Sequence, residues 1–311
     1  MNLQSNPERT AVLLLAHGSP DSVDEVSEFL LRVTGGRPLP LPVIEEVKHR
    51  YRLIGRSPLT ELTLKQGELL ARELGLPVYV GMRNWKPFIG DALRAMISNG
   101  VEHTVAICMA PQNSRTSVGL YRSDLASNQA TPFTIDFVES WHSHPLLIRA
   151  FAEKLRAGWD RTCRELGTQK VPIIFTAHSV PEHTIAEGDP YESQAKETAS
   201  LVAREAALAP EDWTFAFQSQ GMSGGAWLGP RVEDTILSLK EKGHRSVFLQ
   251  PIGFLCDHVE VLYDIDIGFK QFAEKQGMRL WRAESLNDSP WLAAALADVA
   301  RSRLVTITGR H

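Results

Sequence analysis

The chain has 311 residues, 43% of them hydrophobic and 23% charged, with a formal net charge of −4. That balance is ordinary for a globular protein and excludes disorder, collagen and coiled coil, while the slight negative charge gives no electrostatic case for nucleic acid. At about 100–200 residues per domain, the length fits one large domain or two medium ones whose cores need no covalent staples.

Short aliphatic and β-branched runs alternate with amphipathic stretches. A strand at Ala11–Ala16 is followed by helical patterns at Val23–Val33, Ile44–Ile54 and Pro58–Leu74. Next come strand Pro77–Gly81, helix Pro87–Ser98, strand Thr104–Met109 and strand Phe133–Val138. A long helix, Pro145–Leu166, leads to strand Val171–Ala177, helix Tyr191–Leu208, strand Trp213–Gln218 and helix Val232–Lys242. Strand Ser246–Pro251, helix Val259–Lys275, strand Met278–Trp281 and helix Pro290–Arg303 complete the pattern. Strand and helix in alternation predict an α/β fold of parallel sheets covered on both faces. The strands group as four before residue 145 and four after it. Two α/β lobes are therefore expected, residues 1–144 and 145–311, with the last helix able to pack back on the first lobe and a cleft between the two.

The longest apolar run near the start is six residues, Ala11 to Ala16, where a membrane-spanning helix needs about twenty. The first ten residues are polar, without a basic-then-apolar leader pattern, and point to a cytoplasmic protein. Three cysteines, Cys108, Cys163 and Cys256, lie far apart. They suit neither a disulfide framework nor a four-thiolate iron–sulfur cluster.

Ligands of open parallel sheets sit beyond the carboxyl ends of the strands. That rule nominates the loops beginning at Ala16, Gly81, Pro111, Ala177, Gln218 and Gly253, all rich in small and polar residues. His178 stands directly after an apolar strand, where an imidazole can take a proton or bind a metal; a packing or capping role fits that segment alone equally well. Glu260 and Asp264, four residues apart, fall on one face of a predicted helix, either as a relay for a hard cation or as a solvated acidic stripe. Asp257, at the start of that helix, reads as a cap. Strands five and seven carry these two segments and can be neighbours in such a sheet. His178 and Glu260 are too few ligands for a stable metal site, which suits a transient metal or a proton acceptor. Met82, Trp85, Phe88, Tyr121, Trp227 and Phe254 near the exits would suit a flat apolar ligand, although core packing explains such residues as well. A P-loop and H-E-x-x-H are both missing. The glycine-rich Gly221-Met-Ser-Gly-Gly225 lacks the dinucleotide order G-x-G-x-x-G.

Taken in order, these segments resemble ferrochelatase, the enzyme that inserts ferrous iron into a porphyrin. The resemblance runs over roughly residues 11–285. It rests on Leu-Leu-Ala-His-Gly-Ser-Pro20, Arg50-Tyr-Arg-Leu-Ile-Gly-Arg-Ser-Pro-Leu59, Gly81-Met-Arg-Asn-Trp-Lys-Pro-Phe88 and Ala110-Pro-Gln-Asn-Ser114. It continues through Phe175-Thr-Ala-His-Ser-Val-Pro181, Gln218-Ser-Gln-Gly221, Trp227-Leu-Gly-Pro230 and Gly253 to Asp264.

The resemblance implies two flavodoxin-like lobes with a porphyrin cleft between them, His178 and Glu260 facing each other across the macrocycle as catalytic and transient metal-holding groups. His178, neutral at pH 7, would accept a proton with help from Glu260. Asp264 matches a position that leads metal or protons along the helix; one turn further, where some members carry another acid, this chain has Gly268. The opening motif resembles the soluble bacterial branch that uses coproporphyrin III, which makes coprohaem the expected product. His17 stands where members of that branch have Tyr. Ser57, with Arg50 or Arg56, would meet the propionates, and Met82, Trp85 and Trp227 would line the ring. No permanently bound cofactor is implied; the porphyrin and Fe2+ are substrates, and other haem-pathway enzymes are partners to consider. The alternatives are a protoporphyrin IX ferrochelatase, a cobalt or nickel chelatase using His142 and His144, and a porphyrin or haem carrier without turnover. For the last of these, the intact His178 and Glu260 are the counterargument. His142 and His144, just before the long helix, are better read as orienting it.

Overall fold

The structure is a computed structural model that describes residues 9–127, 131–168, 170–221 and 225–308. Its strands form two four-stranded parallel sheets. The first contains β1 (Thr10–Ala16), β2 (Val78–Met82), β3 (His103–Cys108) and β4 (Thr134–Val138) in the order β2-β1-β3-β4. The second contains β5 (Ile173–His178), β6 (Trp213–Gln218), β7 (Ser246–Pro251) and β8 (Arg279–Arg282) in the order β6-β5-β7-β8. Every residue of β1 is buried, as a central parallel strand with helices on both faces requires.

The chain divides into two compact units. One takes in the residues up to Pro111, Ser117–Trp141 and everything from Asn287 onward; the other takes in Gln112–Thr116 and His142–Leu286. The core of the first gathers Leu13, Leu15, Leu93, Met96, Ala106 and Tyr121, and that of the second Ile174, Ile236, Leu249, Val261, Ile265 and Phe269. The C-terminal helix, Pro290–Thr308, packs on helix Leu59–Leu74. The last segment belongs to the first unit. There Leu292 and Leu296 are buried, and Arg301 Nη2 donates to the Glu73 carbonyl at 2.7 Å.

Two local features depart from the sequence reading. A helix at Val118–Ser127 was not anticipated; its buried side chains, Val118, Tyr121 and Leu125, are sparse among polar neighbours, so the helical period is faint. The helix expected over Val259–Lys275 is three pieces: Val259–Leu262, a π-helical stretch Asp264–Phe269, and Lys270–Lys275. Gly268 N–H reaches back five residues to the Tyr263 carbonyl at 2.8 Å, a bond that hydrophobic periodicity cannot foretell.

Candidate active site

In the second unit β5 lies between β6 and β7, so their carboxyl ends share one rim. His178 is the last residue of β5 and pairs in register with Gln218, the last of β6. The chain leaving β7 passes close to the end of β5. A Cβ on Gly253 would lie 3.1 Å from Ala177 Cβ and 3.3 Å from its Cα, tighter than an ordinary side chain tolerates without movement. That close passage brings the short helix Val259–Leu262 beside His178.

The result is a carboxylate bracketed by two imidazoles. Glu260 Oε1 is 3.4 Å from His178 Nε2, and Glu260 Oε2 is 3.5 Å from His258 Nε2. His178 Nδ1 bonds to the Ser179 carbonyl. A carbonyl only accepts, so Nδ1 carries the hydrogen and a neutral ring would present the Nε2 lone pair to Glu260. Two acceptors face each other unless a proton lies between them. Burial alone would push the His178 imidazolium towards losing its proton. The Glu260 charge and hydrogen bond, with the Ser179 carbonyl and the Asp264 charge, outweigh it, and the His178 pKa is raised. Burial would likewise raise Glu260, but His178 and then His258 hold its carboxyl well below the usual range. The imidazole therefore keeps its proton to higher pH than an ordinary histidine.

Surrounding residues fix this pair. Tyr191 Oη donates to the His178 carbonyl at 2.9 Å. Ser179 Oγ donates to the Leu228 carbonyl at 2.9 Å, and the Leu228 amide donates to Val180 O at 3.0 Å. These bonds hold Trp227 with its ring centroid 6.4 Å from that of His178. Gly221 makes room for the indole, since a Cβ there would come within 2.6 Å of it. On the other side Gln218 Nε2 donates to the Glu260 carbonyl and to Ser219 Oγ, each at 3.2 Å, and Ser219 Oγ bonds to Asp264. The His178 and Glu260 side chains are 30% and 34% exposed, open enough to meet a ligand. Among the described residues no group of three or more His, Cys, Asp and Glu side chains is arranged to hold a metal ion. Glu260, His178, His258 and Asp264 are the side chains here with ligating chemistry.

The family model described as Ferrochelatase matches residues 9–304. The chain belongs to the ferrochelatase family. Ferrochelatases insert iron into a porphyrin in haem biosynthesis. The "Ferrochelatase" of Acidobacterium capsulatum is 54% identical over 96% of this chain and 95% of its own length. The "Coproporphyrin III ferrochelatase" of a Geobacillus strain is 34% identical over 96% of this chain and 98% of its own. SirB from Bacillus subtilis with Fe3+ shares the fold, with a TM-score of 0.60 at 10% identity over 97% of this chain and 98% of SirB. CbiX, described as the terminal enzyme of sirohaem biosynthesis in denitrifying bacteria, gives 0.54 at 14% identity over 94% and 98%.

Of the residues nominated for this ferrochelatase from sequence, His178, Glu260, Asp264 and Trp227 come together in the second unit. His17, Arg50, Ser57, Met82 and Trp85 lie in the first. His17 is exposed, its Nδ1 2.9 Å from the Gly18 carbonyl and its ring 5.9 Å from that of Phe29. Arg50 is held by Glu46 at 3.0 Å on helix Leu41–Ile54. Ser57 is buried and accepts a hydrogen bond from Ser19 Oγ at 3.0 Å. Met82 and Trp85, at 0% and 1% exposed, are core side chains with no surface to offer a ring, and their nomination is corrected. The N-cap of helix Val259–Leu262 is His258 and not Asp257, which pairs with Arg282 at 3.2 Å and accepts from Ser285 Oγ at 2.7 Å. His142 faces Glu197 at 2.9 Å, and His144 occupies the N-cap of helix Pro145–Leu166.

Sequence reasoning missed Tyr191, Ser219 and the part played by His258. Only His258 carried a signal, two residues before Glu260 at the mouth of a helix.

No described helix is long and apolar enough to cross a membrane.

Proposed function

We propose that this ferrochelatase acts on coproporphyrin III, inserting Fe2+ to give coprohaem, with His178 and Glu260 as the catalytic pair and Asp264 as the last station of the iron before Glu260. The observation that carries the site assignment is the 3.4 Å approach of His178 Nε2, at the end of β5, to Glu260 Oε1 on the helix that follows the adjacent strand β7. The porphyrin preference draws support from the Ala16-His-Gly-Ser-Pro20 opening and from relatives that carry the coproporphyrin III name.

Insertion exchanges two pyrrole protons for one Fe2+ without change of oxidation state, so the reaction needs a proton acceptor and a weak metal ligand and no resident cofactor. His178, once its proton has passed to water, presents an Nε2 lone pair able to take one pyrrole proton, and after handing that on to water it can take the second. Nδ1, committed to the Ser179 carbonyl, cannot compete for it. Glu260 stabilises the imidazolium that results. Asp264, held by Ser219, offers oxygen ligands to iron approaching along the helix. Binding contacts remote from the pyrroles, for which His17, Arg50, Ser57 and Trp227 are proposed, can supply the energy that bends the ring and bares its nitrogens. On this reading the reaction takes place in the cytoplasm.

Purified protein is assayed with Fe2+ and either coproporphyrin III or protoporphyrin IX. A higher kcat/KM for coproporphyrin III is expected. An equal or reversed preference overturns the coproporphyrin assignment in favour of protoporphyrin IX, and tight binding without metal insertion points to a carrier.

A further inference from the structure

Arg282 ends β8, in register with Leu249, and its side chain is 14% exposed. Nε donates to Asp266 Oδ1 at 2.7 Å and Nη2 to Asp266 Oδ2 at 2.8 Å, a two-pronged grip. Nη2 also lies 3.2 Å from Asp257 Oδ1, and Nη1 donates to the Ala283 carbonyl at 3.0 Å. Ser285 Oγ donates to the same Asp257 Oδ1 at 2.7 Å. One guanidinium thus clamps a segment at both ends, and His258, Glu260 and Asp264 lie between those ends.

That segment has more than one helical register open to it. Ile267 and Gly268 both donate to the Tyr263 carbonyl, at 3.1 and 2.8 Å. A π turn accommodates one residue more than an α turn and persists where tertiary contacts hold it. A slip of one residue into the α register turns the side chains on one side of the slip by about 100° relative to those on the other. Asp264 would then leave Ser219 while Glu260 stayed with His178. A planar guanidinium bound through two parallel hydrogen bonds accepts Asp266 in one orientation only, which makes it a register lock that a lysine cannot replace.

We propose that Arg282 is a positioning residue that sets the π register of Asp264–Phe269 and so aims Asp264 at Ser219 and at the path by which iron reaches Glu260. The catalytic consequence rests on the reading of Asp264 and Glu260 given above; the register itself does not.

The test uses the full chain with Arg282→Gln, Arg282→Lys and Asp266→Asn, read by amide hydrogen exchange and by steady-state kinetics with Fe2+ and coproporphyrin III. In each variant the Gly268 amide should lose protection by about tenfold or more while the β5 amides keep theirs. KM for Fe2+ should rise by about tenfold with KM for the porphyrin within about twofold, and lysine should not rescue it. In an Asp264→Asn background, adding Arg282→Gln should change KM for Fe2+ by less than about twofold, because the two act through one carboxylate. Should Arg282→Gln not fold, Asp266→Asn keeps the Arg282–Asp257 pair and gives the same reading. Parent-level protection at Gly268 overturns the proposal, and so does protection lost evenly across the second unit. If Gly268 is exposed but neither Asp264→Asn nor Arg282→Gln moves KM for Fe2+, the register lock stands and the iron path through Asp264 falls.

Discussion

Glu260 is shared between two imidazoles, His178 at 3.4 Å and His258 at 3.5 Å, one on each carboxylate oxygen. An anion in that position raises the proton affinity of His178 against the opposing effect of burial. It also gives His178 and Glu260 separable signatures in solution.

His178→Ala removes the proton acceptor and leaves the surrounding strands in place. Iron insertion should fall by about 10²–10⁴-fold, the range of a lost general base, with porphyrin affinity by fluorescence quenching nearly unchanged. Insertion at the parent rate would remove His178 from the chemistry.

Glu260→Gln takes away the charge that holds the proton on His178. The ion pair stabilises the fold below the unfolded-state pKa of histidine and is lost as pH rises through the higher folded-state value. Without it, only the Ser179 carbonyl and the Asp264 charge oppose burial, and His178 should titrate at lower pH, visible in its ring NMR resonances. The rising limb of kcat/KM against pH should move to lower pH as its plateau drops. The limbs belong to the coupled pair, so the ring resonance is the deciding measurement. A His178 titration that stays put or moves upward refutes the account.

Gly221→Ala places a methyl 2.6 Å from the Trp227 indole. Overpacking of this kind costs about 1–3 kcal/mol, and the indole is the part able to yield. Tryptophan fluorescence should report its movement beside His178, with a matching loss of porphyrin affinity. Unaltered affinity would take Trp227 out of the binding surface.

Met82→Ala and Trp85→Ala test whether these two side chains belong to the core alone. As core truncations they should lower unfolding free energy by about 2–5 and 3–5 kcal/mol, measured by denaturant titration, while KM for porphyrin in the folded fraction stays close to the parent value. A selective rise in KM at full stability would restore them as ligand contacts.

Strands were readable because their residues are apolar on both faces. Trp213–Gln218 and Ser246–Pro251 lie where the sequence puts them, and the adjacency of β5 and β7 follows from ordinary α/β winding. His178 was legible because it stands at a strand exit, and Glu260 because its four-residue spacing from Asp264 marks one face of a helix. Ser219 was not: its backbone is left-handed, with φ of 57°, and its partner Asp264 lies 45 residues away, so no local pattern announces the pair. Tyr191 was hidden for a related reason. Its hydroxyl serves a backbone carbonyl, and any strand residue offers one. Met82 and Trp85 misled because an aromatic or thioether near a strand end looks the same whether it faces inward or outward.

The return of helix Pro290–Thr308 to helix Leu59–Leu74 means that the chain leaves the first unit and re-enters it. A premature stop after Leu286 would spare every side chain of the His178–Glu260 site and strip the other half of a supporting wall. Loss of function from such a lesion would be misread as catalytic, when its origin is the exposed apolar flank of Leu59–Leu74 and the aggregation that follows.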